Sequence, residues 1–269
     1  MVKEKVKLPD VQASKSNIDK HIKKVGVRNV TVPIFIKGKS DRKINTVADV
    51  SIYTSLTPET RGAHMSRYVE ILNKVIRREV SLDILTTLLS ELATKLESND
   101  SYVKFSFTYF KKKKSPVAKR IGFVPYPVIF EGEMKDNDTK LFLTVTVPYT
   151  SCCPCSKEIS KFGAHNQRSE ATVKVELKTF VKIEEIIELV ESIASCELYS
   201  VLKRQDEKYV TEAAYNKPMF VEDIGREIAA NLDKWLDKTI NDYYVVVNHF
   251  ESIHCHDAVA VITANRKLQ

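Results

Sequence analysis

Glycine is scarce in this sequence, with only seven among its 269 residues. These glycines form neither the Gly-rich loop that cradles phosphates nor the fingerprint that binds dinucleotides, so side chains and strand edges would have to hold any nucleotide. A long apolar run is also lacking, because glutamates interrupt even the segment Ile183–Ile193. The first residues, Met1-Val-Lys-Glu-Lys5, carry charges where a signal peptide needs an apolar stretch. We therefore expect a cytoplasmic protein with no membrane segment.

The chain is basic, with a formal net charge of +7 and an isoelectric point near 9.0, which indicates an anionic partner. Its basic run, residues 111–114, has the composition of a solvated loop, but a polyphosphate molecule would equally favour a positive cavity. RNA binding would require aromatic and basic residues on one strand face. Phe105, Phe107 and Tyr109 instead alternate in the manner of core residues, so we expect no nucleic-acid partner.

Apolar periodicity divides the chain into two halves with the same order of elements. In each half, two strands are followed by two helices and then by two more strands. The predicted strands are 30–36, 48–52, 103–109, 128–130, 141–147, 171–177, 243–250 and 258–263, and the predicted helices are 65–76, 82–96, 183–193 and 221–235. The pattern predicts an α+β chain of two tandem units, residues 1–136 and 137–269.

Two predicted loops interrupt the second half. Residues 148–168 contain three closely spaced cysteines and His165, and residues 197–220 are longer and more polar than packing requires. Loops on a rigid scaffold often carry the chemistry of a protein.

Cys153 lies in the run Cys152-Cys-Pro-Cys155, twelve residues before His165. An odd count of five cysteines and a cytoplasmic setting argue against a disulfide framework. A thiolate and an imidazole suit a borderline-soft divalent metal, and three protein ligands are enough for a catalytic site that keeps a position for water. A closed structural zinc site, or cysteines with no metal, are the alternatives that spacing alone leaves open.

His254 and His256 flank Cys255, and at the start of a strand they would face the same side. Paired imidazoles suit proton transfer near neutral pH, although histidines also occur simply as exposed turn residues. Glu222 falls in the first turn of a predicted helix, where a carboxylate also complements the helix dipole. Glu207 lies in the long polar segment, and the pattern by itself gives neither glutamate a function.

The cysteine run Ser151-Cys-Cys-Pro-Cys-Ser-Lys-Glu-Ile-Ser160, with Gly163-Ala-His-Asn-Gln-Arg-Ser169, resembles the signature of the GTP cyclohydrolase I type IB family. Further family motifs follow in the family's order over nearly the whole chain. These are Leu8-Pro-Asp-Val11, Thr60-Arg-Gly-Ala-His-Met-Ser-Arg67, Lys203-Arg-Gln-Asp-Glu-Lys208, Phe220-Val-Glu-Asp223 and Glu251-Ser-Ile-His-Cys-His256.

This resemblance implies a tunnelling fold with two ββααββ units of antiparallel strands per chain, which agrees with the periodicity. It also implies homotetramers whose sheets assemble into barrels, with active sites between subunits. The implied reaction converts GTP and water to formate and 7,8-dihydroneopterin triphosphate, the first step of tetrahydrofolate biosynthesis. The implied cofactor is a divalent metal, Zn²⁺ or alternatively Mn²⁺ or Fe²⁺.

Carried over by motif, the family's roles fall on six residues. Cys153, His165 and Glu207 are expected to hold the metal, and Cys153 is also expected to be catalytic. His254 and His256 are expected to transfer protons. Glu222 is expected to bind guanine. For the triphosphate, the cationic candidates are Arg61, Arg67, Lys157 and Arg168. We expect Glu222 to act across a subunit boundary from Cys153.

Two positions depart from the family pattern. Cys152 stands where leucine is common, and Cys255 stands where a polar residue such as asparagine is usual. Each places an extra thiol near the expected metal.

Three rival interpretations remain at this level. A tunnelling-fold nitrile reductase using NADPH would also need a cysteine and a guanine-like base, but it gives His165 and Glu207 no role. An archaeal-type GTP cyclohydrolase would form a cyclic phosphate product. A zinc-stabilised RNA-binding module is the third alternative.

Overall fold

An antiparallel sheet of nine strands dominates the computed structural model, which describes residues 9–38, 43–76 and 79–264. Leu8 lies outside these ranges. The strands are β1 (Ile22–Lys37), β2 (Lys43–Leu56), β3 (Asp100–Lys114), β4 (Ile121–Lys135), β5 (Asp138–Cys152), β6 (Asn166–Leu177), β7 (Cys196–Glu197), β8 (Ile240–His249) and β9 (Ala258–Thr263). Eight of them pair in the order β1-β2-β3-β4-β5-β6-β8-β9, and the two-residue β7 pairs with β5.

Six helices occur in the described ranges: α1 (Met65–Val75), α2 (Leu82–Lys95), α3 (Pro154–Ile159), α4 (Ile183–Ile193), α5 (Arg204–Asn216) and α6 (Val221–Leu232). The apolar faces of α1, α2, α4 and α6 join the inward side chains of the sheet in one hydrophobic core. Phe105 in β3 and Ile186 in α4, for example, are both fully buried. Strand positions two apart and helix positions three or four apart supply this core. No helix in the described residues is long and apolar enough to cross a membrane.

The element order predicted from periodicity is confirmed, since each half of the chain reads strand, strand, helix, helix, strand, strand apart from α3, β7 and α5 in the second half. The two halves share one sheet, because β4 pairs with β5 from Val128 opposite Val145 to Lys135 opposite Asp138. Asp136 and Asn137 form the tip of this hairpin with positive φ angles of 47° and 69°. The division of the chain between residues 136 and 137 coincides with this tip and stays a prediction.

The prediction of a loop over residues 197–220 is wrong, because α5 occupies most of this segment. This helix has only two buried residues, Asp206 and Ala214, so it shows no apolar stripe that periodicity could detect. The loop over residues 148–168 is also shorter than predicted, since β5 continues to Cys152 and α3 fills part of the remainder. Cys196 lies in the two-residue strand β7.

The basic run 111–114 is not a solvated loop but the end of β3. Its alternate side chains face opposite sides, and the Lys113 side chain is only 7% exposed. The Lys113 ammonium lies 2.8 Å from Oε1 of Glu191 and also contacts Glu197, while Lys111 lies 3.1 Å from Oε2 of Glu191. The Tyr126 hydroxyl donates to Glu191 at 2.5 Å. This network joins β3 and β4 of the first half to α4 and β7 of the second.

We predict that Lys113→Met lowers the free energy of unfolding by about 2 kcal/mol, because it removes the nearest cation from the buried Glu191 carboxylate and breaks the ion pair with Glu197. Lys112→Met is the matched control, since Lys112 is exposed, and it should change stability by no more than about 0.5 kcal/mol. Urea unfolding followed by circular dichroism measures both. Equal, small losses in the two variants would show that the buried network does not hold the halves together.

Candidate active site

Cys153 follows the last residue of β5 and forms the N-cap of α3. Its sulfur accepts a hydrogen bond from the backbone N–H of Ser156 at 3.4 Å. Pro154 occupies the first helical position, where its fixed φ favours a helix start and its missing N–H costs nothing. The sequence thus turns the chain sharply at the end of β5 and leaves the Cys153 side chain half-buried beside the sheet.

His165 lies beside Cys153 because the antiparallel register of β5 and β6 places Cys152 opposite Asn166. The Cys153 N–H donates to the His165 carbonyl at 3.2 Å. The His165 N–H in turn donates to the Ser156 hydroxyl at 3.2 Å. Two residues that are twelve positions apart are therefore fixed to each other by their backbones.

The imidazole of His165 is oriented by two side chains that sequence reasoning gave no role. Its Nδ1 lies 2.8 Å from Oε1 of Gln167 and 3.7 Å from Oε2 of Glu251. The Gln167 amide nitrogen donates to Oε1 of Glu251 at 3.3 Å, so the Gln167 oxygen is the atom that accepts from His165. Nδ1 then carries the proton, and the Nε2 lone pair is available to a metal.

Gln167 could have been found from sequence, because strand residues two apart share a face and His165 immediately precedes β6. Glu251 follows β8, a distant segment of the chain. Its contact with Gln167 could not be inferred before the pairing of β6 with β8 was known.

Glu207 lies in the first turn of α5 and is exposed. Val210, Ala213 and Ala214 follow it in α5 and pack against Cys152 at the end of β5 and Cys196 in β7. Glu207 therefore lies one turn before the part of α5 that packs on the strand end preceding Cys153, and its side chain is exposed. In residues 9–38, 43–76 and 79–264, however, no three His, Cys, Asp or Glu side chains are close enough to hold a metal ion.

The donor atoms suit a divalent metal in kind. Cys153 offers sulfur, His165 offers an oriented nitrogen and Glu207 offers oxygen, which is a mixed set that Zn²⁺, Fe²⁺ and Mn²⁺ accept. The structure brings together Cys153 and His165, with Glu207 on the facing helix.

His254 and His256 lie in the turn between β8 and β9, not at the start of a strand as expected. Their rings are nonetheless stacked, with centroids 5.0 Å apart and planes inclined by 18°. Both side chains are exposed. The turn therefore presents two imidazoles together at the same end of the sheet as Cys153.

Glu222 also lies at this end of the sheet. The Met219 N–H donates to the Cys152 carbonyl at 3.1 Å, which fixes the start of α6 beside the end of β5. Near Glu222, burial lowers the pKa of His249 to about 4 although the Glu222 charge opposes that shift, so His249 is neutral at neutral pH. The start of α6, which carries Glu222, thus lies at the same end of the sheet as Cys153, and the expectation that Glu222 acts across a subunit boundary from Cys153 stays a prediction.

The four candidates for triphosphate binding are not brought together. Lys157 donates to the Tyr215 carbonyl at 2.6 Å and thereby ties α3 to α5. The Arg168 side chain is exposed on β6, near Cys153. Arg61 and Arg67 are at the opposite end of the sheet, where Arg67 lines a cavity of about 680 Å³ with His64 and Asp136.

The separation between these two ends follows from β5. This strand begins at Asp138, two residues after the cavity residue Asp136, and ends at Cys152, immediately before Cys153. Its 15 residues span roughly 45 Å at about 3.3 Å per residue. Arg67 and Cys153 of one chain therefore cannot contact one substrate molecule.

Among solved structures, the chain resembles two urate oxidases. Uricase from Arthrobacter globiformis matches with a TM-score of 0.53 and 9% identity, covering 91% of this chain and 94% of that chain. Urate oxidase from Bacillus sp. TB-90 matches with a TM-score of 0.55 and 9% identity, covering 91% and 100%. So low an identity shows the fold alone, and this α+β chain has the tunnelling fold.

Sequence comparison defines the family within that fold. The family model for type I GTP cyclohydrolase folE2 matches residues 8–260. GTP cyclohydrolase FolE2 of Magnetococcus marinus is 44% identical over 260 residues, covering 97% of each chain. The protein of the same name from Nitrosococcus oceani is 42% identical over 255 residues, covering 95% of this chain and 94% of that one. The chain belongs to the type I GTP cyclohydrolase folE2 family.

Proposed function

We propose that this chain is a cytoplasmic GTP cyclohydrolase of type IB, which converts GTP and water to formate and 7,8-dihydroneopterin triphosphate at the start of tetrahydrofolate synthesis. The observation that carries the proposal is the convergence of Cys153, His165, Glu222 and the His254–His256 pair at one end of the sheet. Family membership over nearly the whole chain supports it.

A divalent metal would be held by Cys153 and His165, with Glu207 as the third ligand. When bound, such a metal supplies Lewis acidity for the attack of water on carbon 8 of guanine. Gln167 and Glu251 keep the His165 ring oriented for this role.

His254 and His256 are the groups suited to proton transfer. Opening of the imidazole ring and release of formate require protons to be given and taken at ring nitrogens, and imidazoles do so near neutral pH. Glu222 would bind the base, because one carboxylate can accept from both the N1–H and the exocyclic amine of guanine. Adenine offers no such pair of donors, so this contact would select GTP over ATP.

We predict that Cys153→Ala abolishes turnover and weakens binding of Mn²⁺, because it removes a proposed metal ligand while leaving the core intact. Cys152→Ala is the matched control, since the Cys152 side chain is buried among Cys196 and Ala214 and has no proposed role in catalysis. Formate release and pterin fluorescence measure activity, and equilibrium dialysis measures Mn²⁺. Near-normal activity of Cys153→Ala would contradict the assignment.

We predict that Glu222→Gln weakens GTP binding by about tenfold to a hundredfold, because a mismatched polar pair costs roughly 1–3 kcal/mol. The substitution turns one acceptor into a donor that faces the N–H groups of guanine. Calorimetric titration with GTP, and with ATP for comparison, measures the change. Unaltered GTP affinity would show that this carboxylate does not bind the base.

Assembly into a homotetramer is part of the proposal. Within the described residues, β1 pairs only with β2 and β9 only with β8, so each presents an unpaired edge that association into barrels would cover. Because Arg61 and Arg67 are so far from Cys153, any role for them in phosphate binding requires a second chain. A closed, symmetric oligomer can bring unlike ends of two chains together.

We predict that refolding an equal mixture of Cys153→Ala and Arg67→Ala chains restores on the order of a quarter of wild-type activity. In random assembly, that share of sites would combine an intact Cys153 from one chain with an intact Arg67 from another. A mixture of Cys153→Ala and Glu222→Gln chains is the control. It tests the expectation that Glu222 acts across a subunit boundary from Cys153, in which case this mixture also regains activity. Activity in the control mixture alone would overturn this arrangement.

A further inference from the structure

Asp206 is a carboxylate with no exposed surface, in a helix that is otherwise largely polar and exposed. One oxygen, Oδ2, accepts from the Lys203 N–H at 2.9 Å, which caps the start of α5. The other oxygen, Oδ1, accepts from the N–H groups of Val117 and Ala118 at 2.8 and 2.9 Å. A buried carboxylate persists only when such donors replace its water, and here three are backbone groups and the Ser115 side chain is a fourth partner.

The Val117 and Ala118 donors belong to the turn that joins β3 to β4, in the first half of the chain. That turn is closed by its own hydrogen bonds. The Ser115 N–H donates to the Arg120 carbonyl at 2.8 Å, and the Arg120 N–H donates to the Ser115 hydroxyl at 3.0 Å. The Ser115 side chain also hydrogen-bonds to Asp206, so Asp206 attaches α5 to this turn through both its backbone and its serine.

The first turn of α5 has no other buried attachment. Of the two buried residues of this helix, Ala214 is near its far end, where Lys157 also donates to the Tyr215 carbonyl. Ala214 follows Glu207 by seven residues, roughly 10 Å along the helix axis. Val210, three residues after Glu207, also packs against Cys152 and Cys196, so apolar contacts hold α5 from Val210 onward and Asp206 is the buried attachment of the first turn that carries Glu207.

We propose that Asp206 is a positioning residue that fixes the Glu207 carboxylate relative to Cys153 and His165 by joining α5 to the β3–β4 turn. This inference rests on the proposed role of Glu207 as a metal ligand. It gives the first half of the chain a part in forming a site whose candidate ligands all belong to the second half.

The test measures Mn²⁺ affinity of the full-length protein by the electron paramagnetic resonance of free Mn²⁺. Asp206→Asn keeps the side-chain volume but presents an N–H group to the Lys203 N–H. We expect about a tenfold to a hundredfold weaker Mn²⁺ affinity, as is usual when the support of a ligand is lost. In a Glu207→Gln background, Asp206→Asn should cause little further loss, because a positioning residue acts through the ligand it positions.

Asp223→Asn is the matched control. Asp223 occupies the same third position in α6, accepts from the Phe220 N–H at 3.4 Å and makes no contact with the β3–β4 turn. It should lose the helix cap without changing Mn²⁺ affinity. Ser115→Ala is a second, milder variant that removes one side-chain hydrogen bond to Asp206 and one within the turn, and it should weaken Mn²⁺ binding in the same direction as Asp206→Asn.

The outcomes separate the two proposals. Unchanged Mn²⁺ affinity in Glu207→Gln would remove the ligand assignment, and with it the basis of this inference. Weaker binding in Glu207→Gln but not in folded Asp206→Asn or Ser115→Ala would overturn the positioning role alone. Additive losses in the Asp206→Asn, Glu207→Gln double variant would show that Asp206 acts on the metal site by another route.

Discussion

The antiparallel register of β5 with β6 is the constraint on which the candidate site depends. It places Cys152 opposite Asn166, so the residues that follow and precede these positions, Cys153 and His165, must meet. Side chains alternate along a strand, so a shift of one residue would turn the buried positions of β5 outward and separate this pair. The fully buried residues Leu143, Val145 and Val147 hold the register through the hydrophobic effect.

Polar contacts then bring the remaining elements to that strand end. The Cys152 carbonyl accepts from Met219 and fixes the start of α6, while Lys157 and Asp206 fix the two ends of α5. Each of these attachments has a backbone donor or acceptor on at least one side, and backbone geometry is more constrained than that of long side chains. The hydrophobic core thus forms the scaffold, and a few polar contacts decide how the catalytic elements are oriented on it.

Some basic residues of the chain stabilise the fold, and others are exposed and available to a ligand. Lys113 is buried against Glu191 and Glu197, and Lys157 is engaged by the C-terminal end of α5. Arg61 and Arg67 remain exposed at the opposite end of the sheet. A count of positive charges therefore overestimates how many cations are available for an anionic substrate.

The sequence by itself determined the order of the core strands and helices, since burial imposes periods of two and of about 3.6 residues on core elements. Through its resemblance to a family it also made Cys153, His165 and Glu222 candidates for the site, because these residues belong to contiguous motifs. Periodicity missed α5, because this largely polar helix has no apolar stripe. It also misassigned residues 111–114, because a run of four lysines does not reveal which lysines are buried and which are exposed.

Only the tertiary structure decided which of these residues meet. It showed Gln167 and Glu251 beside His165, Glu222 at the same end as Cys153, and Arg67 at the other end of the sheet. The reason is physical: strand pairing joins segments that are distant along the chain, and no local pattern records the register in which they pair.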